Sequence, residues 1–164
     1  MIVVSDTTPL RYLAALGGIE WLPFLFEEVV CPPEVIAECL HERAPSELRS
    51  WARSLPAWLR VGPLSPDARP LDTDMLLDSG ETAALQVARE LKADLLLMDE
   101  RKGRAVAGRL GIAVTGTLGV LVEAARRGLI DFDEVIGVLR TNTNFGADDA
   151  VIAAARRRVT STLR

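Results

Sequence analysis

Four apolar runs of strand length, at residues 1–5, 28–31, 95–98 and 112–115, punctuate the chain, and the long intervals between them follow helical rather than alternating period. Antiparallel neighbours are joined by tight hairpins, whereas parallel neighbours need a crossover of a dozen or more residues, usually a helix. Intervals of crossover length therefore predict an α/β fold, a central and mainly parallel sheet with helices on both faces. A weaker run at 58–61 is a fifth candidate strand.

The helices are marked at their ends. Thr8-Pro9 opens one that Gly17-Gly18 closes, with the hydroxyl residue and proline at the start and glycine beyond the end. Pro32-Pro33 opens a second, residues 46–54 form a third, and 80–92 a fourth; 100–110 and 118–127 follow, ended by Gly111 and Gly128. Beyond Gly128 the chain reads as helical only: Asp131 with Glu134 resembles a capping box, and another helix starts near Asp148 after a TNTNFG loop.

At 164 residues and 49% hydrophobic, the chain is expected to form one domain, with a core over 1–130 and a C-terminal helical extension over 131–164. The stretch GPLSPDARPLDTD at 62–74 holds three prolines and reads as a surface connection. No apolar segment reaches the roughly 18 residues of a membrane helix, and the N-terminus lacks a signal-peptide layout, so a soluble cytoplasmic protein is expected.

There is one histidine, His41, and two cysteines, Cys31 and Cys39, which read as core thiols. Polar chemistry must then come mainly from carboxylates, hydroxyls and arginines. Asp6 ends the first strand run and Asp99 ends the third, at the rim where open parallel sheets bind ligands. Helix capping also accounts for each. Two carboxylates about 5 Å apart at an effective dielectric near 20 repel by about 3 kcal/mol, which a divalent cation would convert into binding.

The helix from Pro33 carries Glu34, Glu38 and Glu42 beside the stripe Val35, Ile36, Cys39 and Leu40. At about 100° per residue, Glu34 lies opposite that stripe and is expected in solvent, while periodicity does not choose between Glu38 and Glu42. Glu81 stands in the first turn of its helix at the margin of an apolar stripe, where capping is the competing explanation. Thr7, Thr115 and Thr117 are candidates to orient water or a phosphate oxygen, or to cap helices. Arg101, Lys102 and Arg104, just after Asp99, are candidates for phosphate contact against a reading as solvated surface. Arg156 to Arg158 read as a flexible tail or a docking patch.

The motifs SDTTPL, PPEVIAECL, LDSGETAALQVA, LLLMDERKGRAVAGRLGI and VTGTLGVLVEAARRGLI, in this order, resemble the PIN-domain nuclease superfamily over roughly residues 1 to 130. The resemblance implies a PIN-like three-layer α/β/α sandwich. It also implies an acidic pocket of Asp6, Glu38, Glu81 and Asp99 that holds Mg²⁺ or Mn²⁺ and activates water to cut RNA phosphodiesters. In this way the resemblance, rather than periodicity, selects Glu38. More familiar members carry aspartate where this chain has Glu81, one methylene longer. Toxin-type relatives imply an antitoxin partner and a homodimer; the aromatic-rich segment with Tyr12, Trp21, Phe24 and Phe26 reads first as core packing, with a surface for self-association as the alternative.

Two other functions compete with an endoribonuclease. One is a catalytically weak PIN-like module that binds RNA or a protein partner without cutting. The other is a receiver-type phosphoryl-transfer protein with Asp6 as acceptor, disfavoured because SDTT lacks a second aspartate two residues on.

Overall fold

The computed structural model describes residues 1–161. In chain order these form β1 (Ile2–Ser5), α1 (Thr7–Ala15), a 3-10 turn (Ile19–Trp21) leading into the short α2 (Leu22–Leu25), β2 (Glu28–Cys31), α3 (Pro33–Leu40), α4 (Ser46–Arg53) and β3 (Leu59–Val61). Then come α5 (Ser79–Glu90), β4 (Leu95–Leu97), α6 (Arg101–Arg109), β5 (Val114–Thr115), α7 (Thr117–Arg126), α8 (Phe132–Asn142) and α9 (Asp149–Thr160).

All five strands are parallel, in the order β3-β2-β1-β4-β5. The chain builds outward from β1 to β2 and β3, then crosses back to lay β4 and β5 on the other side. The order reverses between β1 and β4, and the crevice beyond their carboxyl ends is where such sheets place ligands.

The strand runs are apolar without alternation because both sheet faces are covered. Val3, Val29, Cys31 and Leu97 enter the larger core, shared with Leu10 and Leu13 of α1, Val35 of α3, Leu48 of α4 and Leu121 of α7. Val4, Val30, Leu96 and Met98 enter the smaller core, where Ala84 and Ala88 of α5 and Ala107 of α6 let those helices sit close to the sheet. These are the three layers of an α/β/α sandwich.

The C-terminal helices do not stand apart from this packing. Phe132, Ile136 and Leu139 of α8, with Ile152 and Ala155 of α9, are buried in the larger core, and α9 lies along α7. Gly128, at φ +73°, ends α7 in the left-handed conformation that redirects the chain into α8. Leu139 is fully buried, so Leu139→Ala is expected to cost about 2–5 kcal/mol in urea unfolding; a loss below about 0.5 kcal/mol would mean that α8 contributes no packing.

Two local expectations are corrected. α3 stops at Leu40, because His41 leaves helical geometry (φ −58°, ψ 143°), so Glu42 lies beyond the helix and is exposed. Arg156 to Arg158 belong to α9 rather than to a flexible tail, and Arg156 Nε pairs with Asp133 at 2.6 Å. The aromatic-rich segment packs inward as its first reading has it: Tyr12 and Phe26 are buried, and Phe24 alone of the four is exposed, at 67%.

Candidate metal centre

Asp6 follows β1 directly. Its backbone N–H donates to the Leu97 carbonyl of β4 at 2.9 Å, continuing the ladder and fixing the residue over the switch between β1 and β4. It occupies the N-cap position of α1 without a side-chain capping bond, so the carboxylate is left for another purpose. That side chain is 2% exposed. Burial, reinforced by the negative charges of Asp78, Glu38 and Glu81, pushes its pKa up to about 7 against the opposing pull of the Thr7 amide.

Glu38 reaches the same point from α3. The Thr7 hydroxyl donates to its Oε2, and the Gly80 backbone N–H, at the start of α5, donates to its Oε1 at 2.9 Å. A Cβ on Gly80 would lie 2.7 Å from Glu38 Cδ, closer than real Cβ contacts come. Glycine here lets the carboxylate approach the helix terminus.

Asp78 completes the group. Among the described residues, Asp6, Glu38 and Asp78 form the one set of three or more metal-ligating side chains whose ligand atoms all lie within 4.8 Å of one another. Asp6 is buried, Glu38 half-buried and Asp78 exposed, which makes a site closed below and open above. The sequence reading did not select Asp78. Its signal was present nonetheless: D-x-x-E before a helical apolar run is a capping box. The structure forms that box, with Glu81 N–H donating to Asp78 Oδ1 at 2.7 Å and Asp78 N–H donating to Glu81 Oε2 at 2.9 Å.

Glu81 therefore grips the backbone of Asp78. It is 7% exposed, and burial, then Asp78, Glu100 and Glu38, raise its pKa despite the hydrogen bond from Asp78. Asp99 is turned toward α7: Thr117 donates its backbone N–H to Asp99 Oδ1 at 2.8 Å and its hydroxyl to Oδ2 at 2.7 Å. Gly116 leaves room for this carboxylate, since a Cβ there would overlap Asp99 Oδ1. Glu81 and Asp99 thus stand at the same rim as the three-carboxylate group, but outside the set with converging ligand atoms.

The other predicted residues surround the centre. Arg101 and Lys102 line a cleft of about 730 Å³ with Asp78 and Glu81. Arg104 lines a second, of about 460 Å³, with Asp99 and Thr115, and its guanidinium donates to the Met98 carbonyl at 3.2 Å. Thr117 is buried as the partner of Asp99. Cys31 and Cys39 are free and buried, and burial raises both thiol pKa values, that of Cys39 to about 12.

Hard divalent cations take oxygen donors and retain water on an open side, and this donor set meets both requirements. Asp78→Ala should cost about 1 kcal/mol through loss of the cap, whereas Asp78→Asn keeps the cap and should be nearly neutral in urea unfolding. Both should weaken Mn²⁺ binding measured by electron paramagnetic resonance. Wild-type Mn²⁺ affinity in Asp78→Asn would remove Asp78 from the site.

No helix among the described residues is long and apolar enough to cross a membrane. A comparison with curated proteins returns no match. Among solved structures, the chain is similar to a PilT N-terminus domain protein from the archaeon Sulfolobus solfataricus P2, at 14% identity and a TM-score of 0.48, over 90% of this chain and 98% of that one. The family model described as DUF3368, PIN domain, matches residues 2–161, and so includes α8 and α9. By that match, the chain belongs to the DUF3368 family of PIN domains.

Proposed function

We propose that this PIN domain is a cytoplasmic, Mg²⁺- or Mn²⁺-dependent endoribonuclease that cuts RNA phosphodiesters at the rim above β1 and β4. PIN domains are generally nucleases, typically with divalent metals. The observation that carries the reading is the convergence of Asp6, Glu38 and Asp78 within 4.8 Å, at a point where their mutual repulsion calls for a cation. Asp6, Glu38 and Asp78 would hold the ion. Glu81 adds charge and fixes Asp78, and Asp99 supplies a further carboxylate across the rim, oriented by Thr117. A divalent cation there supplies a lowered pKa for bound water and neutralises charge on the leaving oxygen.

The remaining groups bind and orient. Thr7 holds Glu38. Arg101 and Lys102 line the cleft beside Asp78 and Glu81, and Arg104 and Thr115 the one beside Asp99, so both offer donors to the phosphates on either side of the cut. A net charge of −4 makes these local cations, rather than the whole surface, the means of attraction. By resemblance, an antitoxin protein and a second copy of the chain are its partners, and exposed Phe24 and Leu129 are apolar surface that such contacts would cover.

The test is cleavage of a labelled RNA with Mg²⁺ or Mn²⁺, with chelator, and by Asp99→Asn. Cleavage should require the metal and fall in the variant. One observation favours a second reading, a module that binds RNA or a protein without cutting: Asp99 commits both carboxylate oxygens to Thr117. Retained RNA binding with no cleavage at any metal concentration would select that reading.

A further inference from the structure

Two features of the C-terminal helices have no role in the function proposed above: the TNTNFG loop between α8 and α9, and the arginine cluster of α9. The structure parts that cluster. Arg156 pairs with Asp133, while Arg158 comes to the cleft of about 460 Å³ that Asp99, Arg104 and Thr115 also line. Phe145 of the loop lines the same cleft. Thr8 and Glu100 border both this cleft and the one beside Asp78 and Glu81, so the two adjoin along the rim. The loop is fastened on either side of the ring: the Phe145 N–H donates to the Thr143 hydroxyl at 3.1 Å, the Tyr12 hydroxyl to Asn144 Oδ1 at 3.1 Å, and the Arg140 guanidinium to the Ala147 carbonyl at 3.0 Å. Phe145 is half-buried and meets Tyr12 edge to face, ring centroids 5.1 Å apart and planes at 89°. Such a contact occupies at most one of its two faces.

We infer that this cleft is a nucleotide site on the Asp99 side of the cut, in which a base of the RNA stacks on Phe145 and Arg158 takes an adjacent phosphate. The inference rests on the ribonuclease reading for its substrate. The charges of the cleft point to a nucleotide rather than to a bare anion. Asp99 and Glu100 offset Arg104 and Arg158, so charge alone gives a phosphate chain little net attraction there. A platform for the base supplies what charge does not. Grooves that hold single strands combine these two elements, cations along the backbone and aromatic faces under the bases. Arg104 already donates to the Met98 carbonyl. Arg158 is exposed and, among the described residues, makes no ion pair, which leaves it to follow a phosphate. Every base has a π-face, so Phe145 positions the chain without choosing a sequence. The volume of the cleft is in the range of small-ligand sites.

Two measurements test this with the full chain. A labelled single-stranded RNA, and the same sugar-phosphate chain without bases, are bound in chelator and followed by fluorescence anisotropy; the RNA is also cleaved with Mg²⁺. The parent should bind the RNA about tenfold or more tightly than the chain without bases. Phe145→Leu keeps an apolar side chain against the core and loses the ring, and should cut that ratio about tenfold; Phe145→Trp should keep it. Arg158→Gln should weaken both chains alike and lower the salt slope by about 0.7. In cleavage, Phe145→Leu should raise KM about tenfold and leave kcat within about twofold, the mark of lost binding rather than lost chemistry. A parent that binds both chains equally overturns the site whatever the variants do, and so does a Phe145→Leu ratio equal to that of the parent. Either result with cleavage intact leaves the ribonuclease reading standing. The expected ratios with no cleavage of any RNA overturn that reading and leave a nucleotide site. Unchanged RNA binding in Phe145→Leu with loss of a dimer in sedimentation assigns the cleft to protein contact and overturns the inference.

Discussion

Replacing Asp6 by asparagine should raise the thermal midpoint of the metal-free protein at pH 8 and sharply reduce its metal-dependent RNA cleavage. Both effects come from one buried carboxylate. Its folded pKa of about 7 lies above the ordinary value of 3.8, so between those limits the folded chain holds a proton that the unfolded chain has released. Stability of the metal-free protein therefore falls as pH rises through that window, by on the order of 4 kcal/mol at about 1.4 kcal/mol per unit. Asparagine carries no charge to desolvate and should remove this slope. For a chain of this size that is a gain of roughly 10 °C at pH 8 and little at pH 4. Cleavage should fall by about 10²-fold or more, the scale on which losing a charge-stabilising group is felt. Melting curves from pH 4 to 8 in chelator check the first part. Parallel curves for parent and variant would show that Asp6 carries no such penalty.

The second large effect comes from a single methyl group. Gly80→Ala should leave the fold almost unchanged and reduce cleavage and Mn²⁺ affinity by about 10–100-fold, the scale of losses when a ligand's supporting contact is disturbed. The three atoms nearest the added Cβ all belong to the far end of the Glu38 side chain, which swings away at small cost. Alanine also gains about 0.5–1 kcal/mol over glycine in a helix, which offsets a lost Gly80 to Glu38 hydrogen bond worth about 1 kcal/mol. Displacing the carboxylate opens the group that holds the ion. Urea unfolding and Mn²⁺ titration on the same sample separate the two consequences; an unchanged affinity would show that the Gly80 contact does not position Glu38.

Much of this fold was legible because burial on both sheet faces writes its strands as unbroken apolar runs. Residues 1–5 and 95–98 announced the two central strands, and the polar residue ending each announced the rim. Asp6 was readable for that reason. Asp78 was harder, because it terminates a proline-rich connection and its carboxylate serves a helix cap and the acidic group at once. Glu34 was misread because the apolar stripe of α3 is narrower than its composition suggests. Leu40 is 43% exposed and Ile36 only half-buried, so the line that packs inward is Val35 and Cys39, and the neighbouring line, Glu34 and Glu38, is half-buried beside it, with Glu38 reaching the site. Asp99 shows a different limit. A strand-end acid is expected to cap the next helix, α6, yet this one binds Thr117 at the start of α7, a partner that only the parallel pairing of β4 with β5 brings near.

The central claim is that Asp6, Glu38 and Asp78 share one cation. The most direct measurement is anomalous diffraction from a crystal soaked in MnCl₂. A manganese peak bonded to carboxylate oxygens of all three residues is the expected result. A peak absent from this group at millimolar Mn²⁺, or bound elsewhere on the chain, would contradict it.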